Sequence, residues 1–475
     1  ARRTRAVGET TDLVGRAALR MRVEPTAERA AAFAADAGSG PLAASLADHV
    51  GRARGTPGTG LRTFAAEWVE WFPALERAVT LVEAAGREPP EERETTLDRA
   101  LDAVLDGTRD RLAAFATEVR GPLTGLYAFG VLLPLALVGT VPAARVAGVR
   151  VSVGAIVVAY DLLLPLALLA ASVRLLVRRP VAFPPPRVDR SHPDVPDRRW
   201  PALGLGLGAG TASWVAATEL VAGWAGPVAA AGVAPGVALL VHYRPVKRVR
   251  DRTRAAESNL DDALHLVGRR VADGEAVESA LADAAATLDG ETGSVLADAV
   301  GVRRRLGTTV AASFLGEHGA LAAVPSPRLR SAAALFDLAA RDGAPAGEAI
   351  LAMADQLDGL RRVEREGRRE LSRVTDTLAN TAAVFGPLVG GATVALAANV
   401  ARTGSGPLGR GGLPADALGP AVGAYVLLLA AVLTGLSTGL ERGLDRPLLG
   451  YRVGAVLPTA TATYLAAVAA AGLVF

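Results

Sequence analysis

Between Arg120 and Arg145 the chain carries no charged residue, and between Arg150 and Arg174 it carries only Asp161. Each run is long enough for the roughly 20 predominantly apolar residues that a helix needs to cross a bilayer. The same pattern returns at 202–222, 225–242, 380–401, 418–440 and 453–474, so seven spans are predicted. Trp200 and Trp224 stand at the ends of such runs, where interfacial aromatic belts lie. The apolar content, 51% of 475 residues, is mostly Ala, Leu, Val and Gly, while aromatics make up only 4%. Small and aliphatic residues suit closely packed helices better than strands, and the predicted fold class is an all-α membrane protein.

The remaining sequence is charged and periodic. Over 10–120, apolar residues recur at helical spacing, as in Leu75, Ala78, Val79 and Val82 or Leu101, Val104 and Leu105, with charged residues between them. A water-facing helical domain is expected there and again over 250–378. A Pro- and Arg-rich stretch from Arg178 to Arg187 fits neither a helix interior nor a membrane core and reads as a linker. The predicted order is 1–120, a first cytoplasmic helical domain; 121–177, spans one and two; 178–201, a basic linker; 202–243, spans three and four; 244–378, a second helical domain; 379–475, spans five to seven.

Basic residues are retained on the cytoplasmic side, and their distribution orients the chain. The connection over 174–199 holds Arg174, Arg178, Arg179, Arg187, Arg190, Arg198 and Arg199, and the segment after span four holds Arg244, Lys247, Arg248, Arg250, Arg252 and Arg254. The opposite connections hold only Arg145, Arg150, Arg402 and Arg410. Both helical domains and the N-terminus are therefore expected in the cytoplasm. The beginning of the sequence, basic and then acidic with no apolar stretch, predicts no signal peptide.

Two segments repeat at one offset. Leu13-Val14-Gly15-Arg16 returns as Leu266-Val267-Gly268-Arg269, and Arg120, Thr124, Val131, Pro134 and Leu135 return as Arg373, Thr377, Val384, Pro387 and Leu388, in both cases 253 positions later. Between them, Leu46-Ala47-Asp48 parallels Leu296-Ala297-Asp298, and Pro73, Leu75, Ala78 and Leu81 parallel Pro327, Leu329, Ala332 and Leu335. A duplicated unit, helical domain first and membrane hairpin second, is the reading. Four spans between the copies make the repeats parallel, which counts mildly against the inverted repeats common in transporters.

The second copy carries Leu260-Asp261-Asp262-Ala263-Leu264, then Gly274, Val277, Ala280 and Leu281, then Ala332, Leu335, Phe336 and Leu338 leading to Gly343, Gly347, Glu348, Ala349 and Ile350, and an exit through Asn380-Thr381 to Gly386-Pro387-Leu388-Val389-Gly390-Gly391. In this pattern, and in its layout of a helical domain before spanning helices given twice, the chain resembles the F-type platform proteins of type II secretion and type IV pili, most of all their archaeal branch. The resemblance covers about 255–392 directly and 10–140 through the repeat, with the first copy degenerate at Arg22-Val23-Glu24-Pro25. It implies a cytoplasmic-membrane scaffold that couples a hexameric assembly ATPase to the insertion of pilin subunits into a filament, as a dimer or trimer. The alternatives are a transporter membrane subunit and a membrane receptor with helical signalling domains.

The catalytic patterns in the sequence are incomplete. The one lysine, Lys247, follows Arg244-Pro245-Val246 and not the glycines of a phosphate-binding loop. The five histidines show no metal-binding spacing. Gly435-Leu436-Ser437-Thr438-Gly439 fits a nucleophile elbow, but no histidine follows it, which leaves small-residue helix packing. With no cysteine, thiolate chemistry and disulfides are excluded. The net charge of +3, from 51 basic and 48 acidic residues, does not suit a nucleic-acid binder. No enzyme activity, metal or cofactor is expected.

The candidate contact residues are accordingly polar and few. Arg361, Arg362, Arg365, Arg368, Arg369 and Arg373, interleaved with Glu364, Glu366 and Glu370, run into span five. They are open between a solvated face beside anionic lipid and, as the resemblance implies, a docking surface for the ATPase; Lys247, Arg248 and Arg250 join them. Inside the spans stand Asp161 and, late in span three, Glu219; such charges are costly in lipid unless paired or protonated. Asp161 is open between a structural hydrogen bond and a contact with an incoming pilin, and Glu219 reads as reaching the interface. Gly204, Gly208, Gly206 and Gly210 form two interleaved G-x-x-x-G pairs for close helix approach, with nucleotide binding the weaker alternative.

Overall fold

The computed structural model describes residues 9–36, 38, 40–56, 58–146, 152–179, 188, 192–196, 200–403 and 415–474. Most of the predicted linker, with Arg187, Arg190, Arg198 and Arg199, lies outside the described residues, as do Arg150, Arg410 and the first eight positions. All regular structure among the described residues is helical. The chain divides into two compact units. The first comprises Ala1–Ala114, Pro180–Asp194 and Arg248–Arg368, and the second Phe115–Arg179, Val195–Lys247 and Arg369–Phe475.

The first unit contains two series of helices. One runs α1 (Thr10–Val23), α2 (Ala27–Asp36), α3 (Pro41–Ala53), α4 (Leu61–Trp68), α5 (Pro73–Ala85) and the start of α6 (Pro90–Tyr127). After α7 (Leu133–Val146), α8 (Val153–Val157), α9 (Leu164–Arg178), α10 (Trp200–Leu220) and α11 (Ala225–Glu257), the second runs α12 (Leu260–Ala272), α13 (Val277–Thr287), α14 (Gly290–Leu306), α15 (Val310–Leu315), α16 (Pro327–Asp342) and the start of α17 (Ala344–Asn380). Local chemistry sets many of these boundaries. Pro41, Pro73 and Pro327 open their helices, where a missing N–H costs nothing. The Thr309 and Ser326 side chains accept from the backbone N–H groups of Ala312 and Leu329 as N-caps. Gly307 ends α14 with φ at 61°, a conformation that costs glycine little.

Each series buries its own core. Leu46, Leu75, Leu97 and Val104 are interior in the first, and Leu296, Leu329, Ile350 and Leu357 in the second. The first two pairs are among the sequence matches; Leu97 and Ile350, and Val104 and Leu357, stand 253 positions apart. The series also meet each other. Gly359 and Gly367 of α17 lie so close to Leu105 and Leu112 of α6 that an added Cβ would fall 2.9 and 2.8 Å from their methyl carbons. Arg109 and Glu366 form an ion pair between the same helices. Since both numbers rise together, α6 and α17 lie parallel and nearly in register.

The long helices end alike. α6 passes into a π turn at Ala128–Leu132 and α17 into one at Thr381–Phe385, again 253 positions apart. A third π turn, Val158–Leu163, joins α8 to α9. In each, the residue just before a proline donates its N–H five residues back: Leu133 to Ala128, Leu164 to Ala159 and Gly386 to Thr381. The prolines are Pro134, Pro165 and Pro387. Proline supplies no N–H to the carbonyl four residues earlier and crowds the turn before it, and one wide turn accommodates both effects. Proline is not sufficient, since Pro122, Pro235, Pro245, Pro420 and Pro458 stand inside helices that continue as α-helix.

The second unit is completed by α18 (Gly386–Thr403), α19 (Ala415–Arg442) and α20 (Arg446–Val474). Its interior is a band of Leu, Val and Ala around Tyr425 and Tyr464, while Phe129, Leu162, Leu163, Leu166 and Leu207 are among many large apolar side chains left on its outside. An apolar exterior over a packed interior is what lipid-facing helices require. Six helices are long and apolar enough to cross a membrane, and they belong to Pro90–Thr140, Val153–Arg178, Ala225–Ala272, Thr375–Asn399, Asp416–Arg442 and Arg446–Ala471. The chain is a multi-pass membrane protein by this criterion. The third expected span, α10, is helical over 21 residues but is not among the six. Glycine, which supplies little hydrophobicity, fills four of its positions.

Candidate functional site

The arginines of α17 separate into two groups. Arg361 turns inward, pairing with Asp261 of α12 and donating to the Glu257 carbonyl at the end of α11. Arg328 reaches the Glu257 and Glu364 carboxylates at 3.6 and 3.7 Å, and the Ser326 hydroxyl also donates to Glu257. Arg361 thus ties helices together and presents little to a partner. Arg362, Arg365 and Arg368 turn outward, held by carboxylates of their own helix: Arg362 and Arg365 by Asp358 and Arg368 by Glu364. The Arg362 guanidinium draws the Asp358 carboxyl below its ordinary range, chiefly by a direct hydrogen bond. Arg369 is exposed, and Arg373 lies in the helix with its side chain outside the described residues. The outward arginines form a ridge whose charge is partly answered from within.

The residues after the fourth expected span diverge similarly. Lys247 holds its ammonium 5.3 Å from the Tyr451 ring centre on α20, a cation over an aromatic face. Arg248 is exposed, whereas Arg250 is buried.

In the second unit, charged groups gather at one end of the helices. The Arg179 guanidinium donates to the Leu440 and Glu441 carbonyls at 2.7 and 3.0 Å, closing the C-terminus of α19, where carbonyls lack helical partners. Glu441 accepts from the Thr375 hydroxyl of α17 at 3.0 Å and from Arg452 of α20 at 2.8 Å. Arg452 also reaches the Thr438 hydroxyl at 3.4 Å. Four chain segments are therefore joined through one carboxylate and two guanidinium groups. Sequence reasoning passed over Glu441 and Arg452 because both stood at the ends of apolar runs, where charge is expected.

Asp161 sits in the π turn ahead of Pro165, half-buried, with its Oδ1 atom out of contact with solvent and without a hydrogen-bond partner. The neighbouring Tyr160 donates to the Pro134 carbonyl at 3.0 Å and stacks edge-on against Tyr425. Glu219 is exposed one residue before the end of α10.

The glycines of α10 have two different environments. Gly206 and Gly210 face α11, where an added Cβ would come within 2.7 Å of the Ala234 carbonyl and the Ala234 methyl carbon respectively. Gly204 and Gly208 face open space. One G-x-x-x-G pair brings the α10–α11 hairpin together and the other does not. Gly435 to Gly439 forms part of α19, where Ser437 is buried and donates to the Thr434 carbonyl, and Gly439 receives Leu176 of α9.

Compared with protein-family models, with curated proteins and with solved structures, the chain matches none.

Proposed function

We propose that this chain is a cytoplasmic-membrane platform of a type IV pilus or type II secretion-like machine, coupling a hexameric cytoplasmic ATPase to the insertion of pilins into a filament. The observation that carries the reading is the membership of both helical series in one compact unit. Two series that pack together occupy one side of a membrane, and an even number of crossings must separate them. The spans through α6–α7, α8–α9 and α11 make three. The glycine-rich α10, lying against the apolar stretch of α11, supplies the fourth. This count supports a reading of seven spans with two tandem domains on one face, the layout expected of a platform and without the inverted symmetry common in transporters.

The distribution of basic residues supports a cytoplasmic location for that face. Arg178, Arg179, Lys247, Arg442, Arg446 and Arg452 gather at one end of the second unit, linked by the contacts of Arg179 with α19, Lys247 with Tyr451 and Arg452 with Glu441. In this reading the outward ridge of Arg362, Arg365, Arg368 and Arg369 receives the ATPase, the spanning helices guide pilins, and the chain itself makes and breaks no bond.

Affinity purification from detergent-solubilised membranes tests the proposal. Recovery of a secretion-type ATPase together with prepilins is expected. Recovery of a transport ATPase without prepilins would replace the platform with a transporter subunit.

A further inference from the structure

Three hydroxyl groups among the described residues of the second unit, those of Ser172, Thr381 and Thr434, have no protein partner, and the two threonines bear on the Glu441 cluster. Thr381, in the π turn after α17, is 1% exposed, and Thr434 of α19 is 6% exposed. The Oγ1 atoms of both are out of contact with solvent and unbonded. Threonine in a helix ordinarily returns its hydroxyl to a carbonyl three or four residues back, as Thr253 does to Val249 and Thr461 to Leu457. The exceptions are therefore informative.

The two lie at one level. Thr375 bonds Glu441, and an added Cβ on Gly390 would lie 2.8 Å from Val426, so α17, the π turn and α18 run antiparallel to α19. Thr381 is six residues beyond Thr375 and Thr434 seven before Glu441, both about 10 Å deeper than the Glu441–Arg452 pair. At spacings of four and seven, Thr434 shares a helix face with Thr438 and Glu441. Glu441, Arg452, Thr375 and Thr438 bond one another at the top, and the two unbonded hydroxyls lie deeper, one on the π turn and the other on α19, which packs against that turn.

We propose that this column binds ordered water, with Thr381 and Thr434 as its deepest protein ligands and the Glu441–Arg452 pair at its mouth. A buried hydroxyl without a partner is costly, and a water bonded to two or more polar groups removes the penalty. Water also reduces the desolvation of an ion pair placed among spanning helices. The assignment stands whether or not the chain is a filament platform.

Radiolytic footprinting of the purified full-length protein is the direct test, because radicals formed from bound water oxidise adjacent side chains that bulk solvent does not reach. Leu378, one turn from Thr381 and 2% exposed, becomes oxidised, while the equally inaccessible Leu436, on another face of α19, does not. Thr381→Val and Thr434→Val, which keep shape and remove the hydroxyl, each lower the thermal midpoint by about 2–4 °C, and the double variant loses the Leu378 oxidation. An unoxidised Leu378 in the unsubstituted protein, or valine variants with raised midpoints, overturns the proposal, since a dry hydroxyl is better replaced by a methyl group. A sodium or potassium titration that raises the midpoint of the unsubstituted protein but not of the double variant overturns it in favour of a bound cation.

Discussion

The Tyr425 hydroxyl donates to the Gly130 carbonyl at 2.8 Å, replacing the bond that Pro134, four residues after Gly130, cannot supply. Tyr425 is fully buried, so its hydroxyl has no solvent alternative. Tyr425→Phe leaves the carbonyl unpaired in an apolar interior and is expected to cost about 1–2 kcal/mol of unfolding free energy. Pro134→Ala restores an N–H to the turn, and in that background the phenylalanine substitution should cost distinctly less. A double-mutant cycle by unfolding in mixed detergent checks this, and additive costs would count against the replacement.

Glu441 is the shared acceptor of Thr375 and Arg452. Glu441→Ala should destabilise by about 2–3 kcal/mol, because a partly buried guanidinium loses its counter-charge. Glu441→Leu combined with Arg452→Met should recover much of that loss, since no charge is then left alone. The same detergent titration reads both variants.

The two glycine pairs of α10 give a prediction with an internal control. Gly206→Val places methyl groups against Ala234 and Ala238 and should destabilise by about 1–3 kcal/mol. Gly204→Val meets open space and should change stability by less than about 0.5 kcal/mol. Thermal unfolding monitored by circular dichroism distinguishes them.

Two aspartates in the first unit should respond to pH in opposite directions. Burial, with Asp106 and Asp98 one turn to either side, raises the Asp102 carboxyl above its ordinary value. The folded state then holds that proton more tightly, and stability declines as pH rises from the ordinary aspartate range through the raised value. Asp102→Asn should therefore stabilise by about 0.3 kcal/mol at pH 7 and have no effect near pH 3. Asp358, lowered by Arg362, contributes above the ordinary aspartate range and loses that contribution as pH falls through its lowered value. Asp358→Asn should destabilise at pH 7 by a similarly small amount and converge with the unsubstituted protein in acid.

Periodicity was the most legible signal. The helical stripes of 10–120 and 250–378 appear as two series with their cores at matched positions, because an apolar residue every three or four positions has one stable solution in water. The π turns were not legible. Pro134 and Pro387 were visible as matched residues, but Pro420 and Pro458 look the same in sequence and leave their helices regular. At Pro134 the missing donor comes from a neighbouring helix, the Tyr425 hydroxyl, 295 positions from Gly130. Arg361 was similarly hidden within a charged run, where spacing alone did not distinguish a residue bonded to Asp261 from its exposed neighbours. Glycine-rich α10 was clear as a helix, but its composition leaves it short of the hydropathy of the other six.

The side-by-side placement of α6 and α17 also bears on why the two halves share one chain. Position for position, Arg109 corresponds to Arg362 and Glu366 to Ala113. A pair of identical half-length subunits would have to carry the same residues along both two-fold-related seams. The single chain does not: one seam is closed by Arg109 and Glu366, while the counterpart arginine, Arg362, folds back onto Asp358 and leaves alanine at the other. Within a single chain the two seams need not carry the same residues, a freedom that separate identical subunits lack.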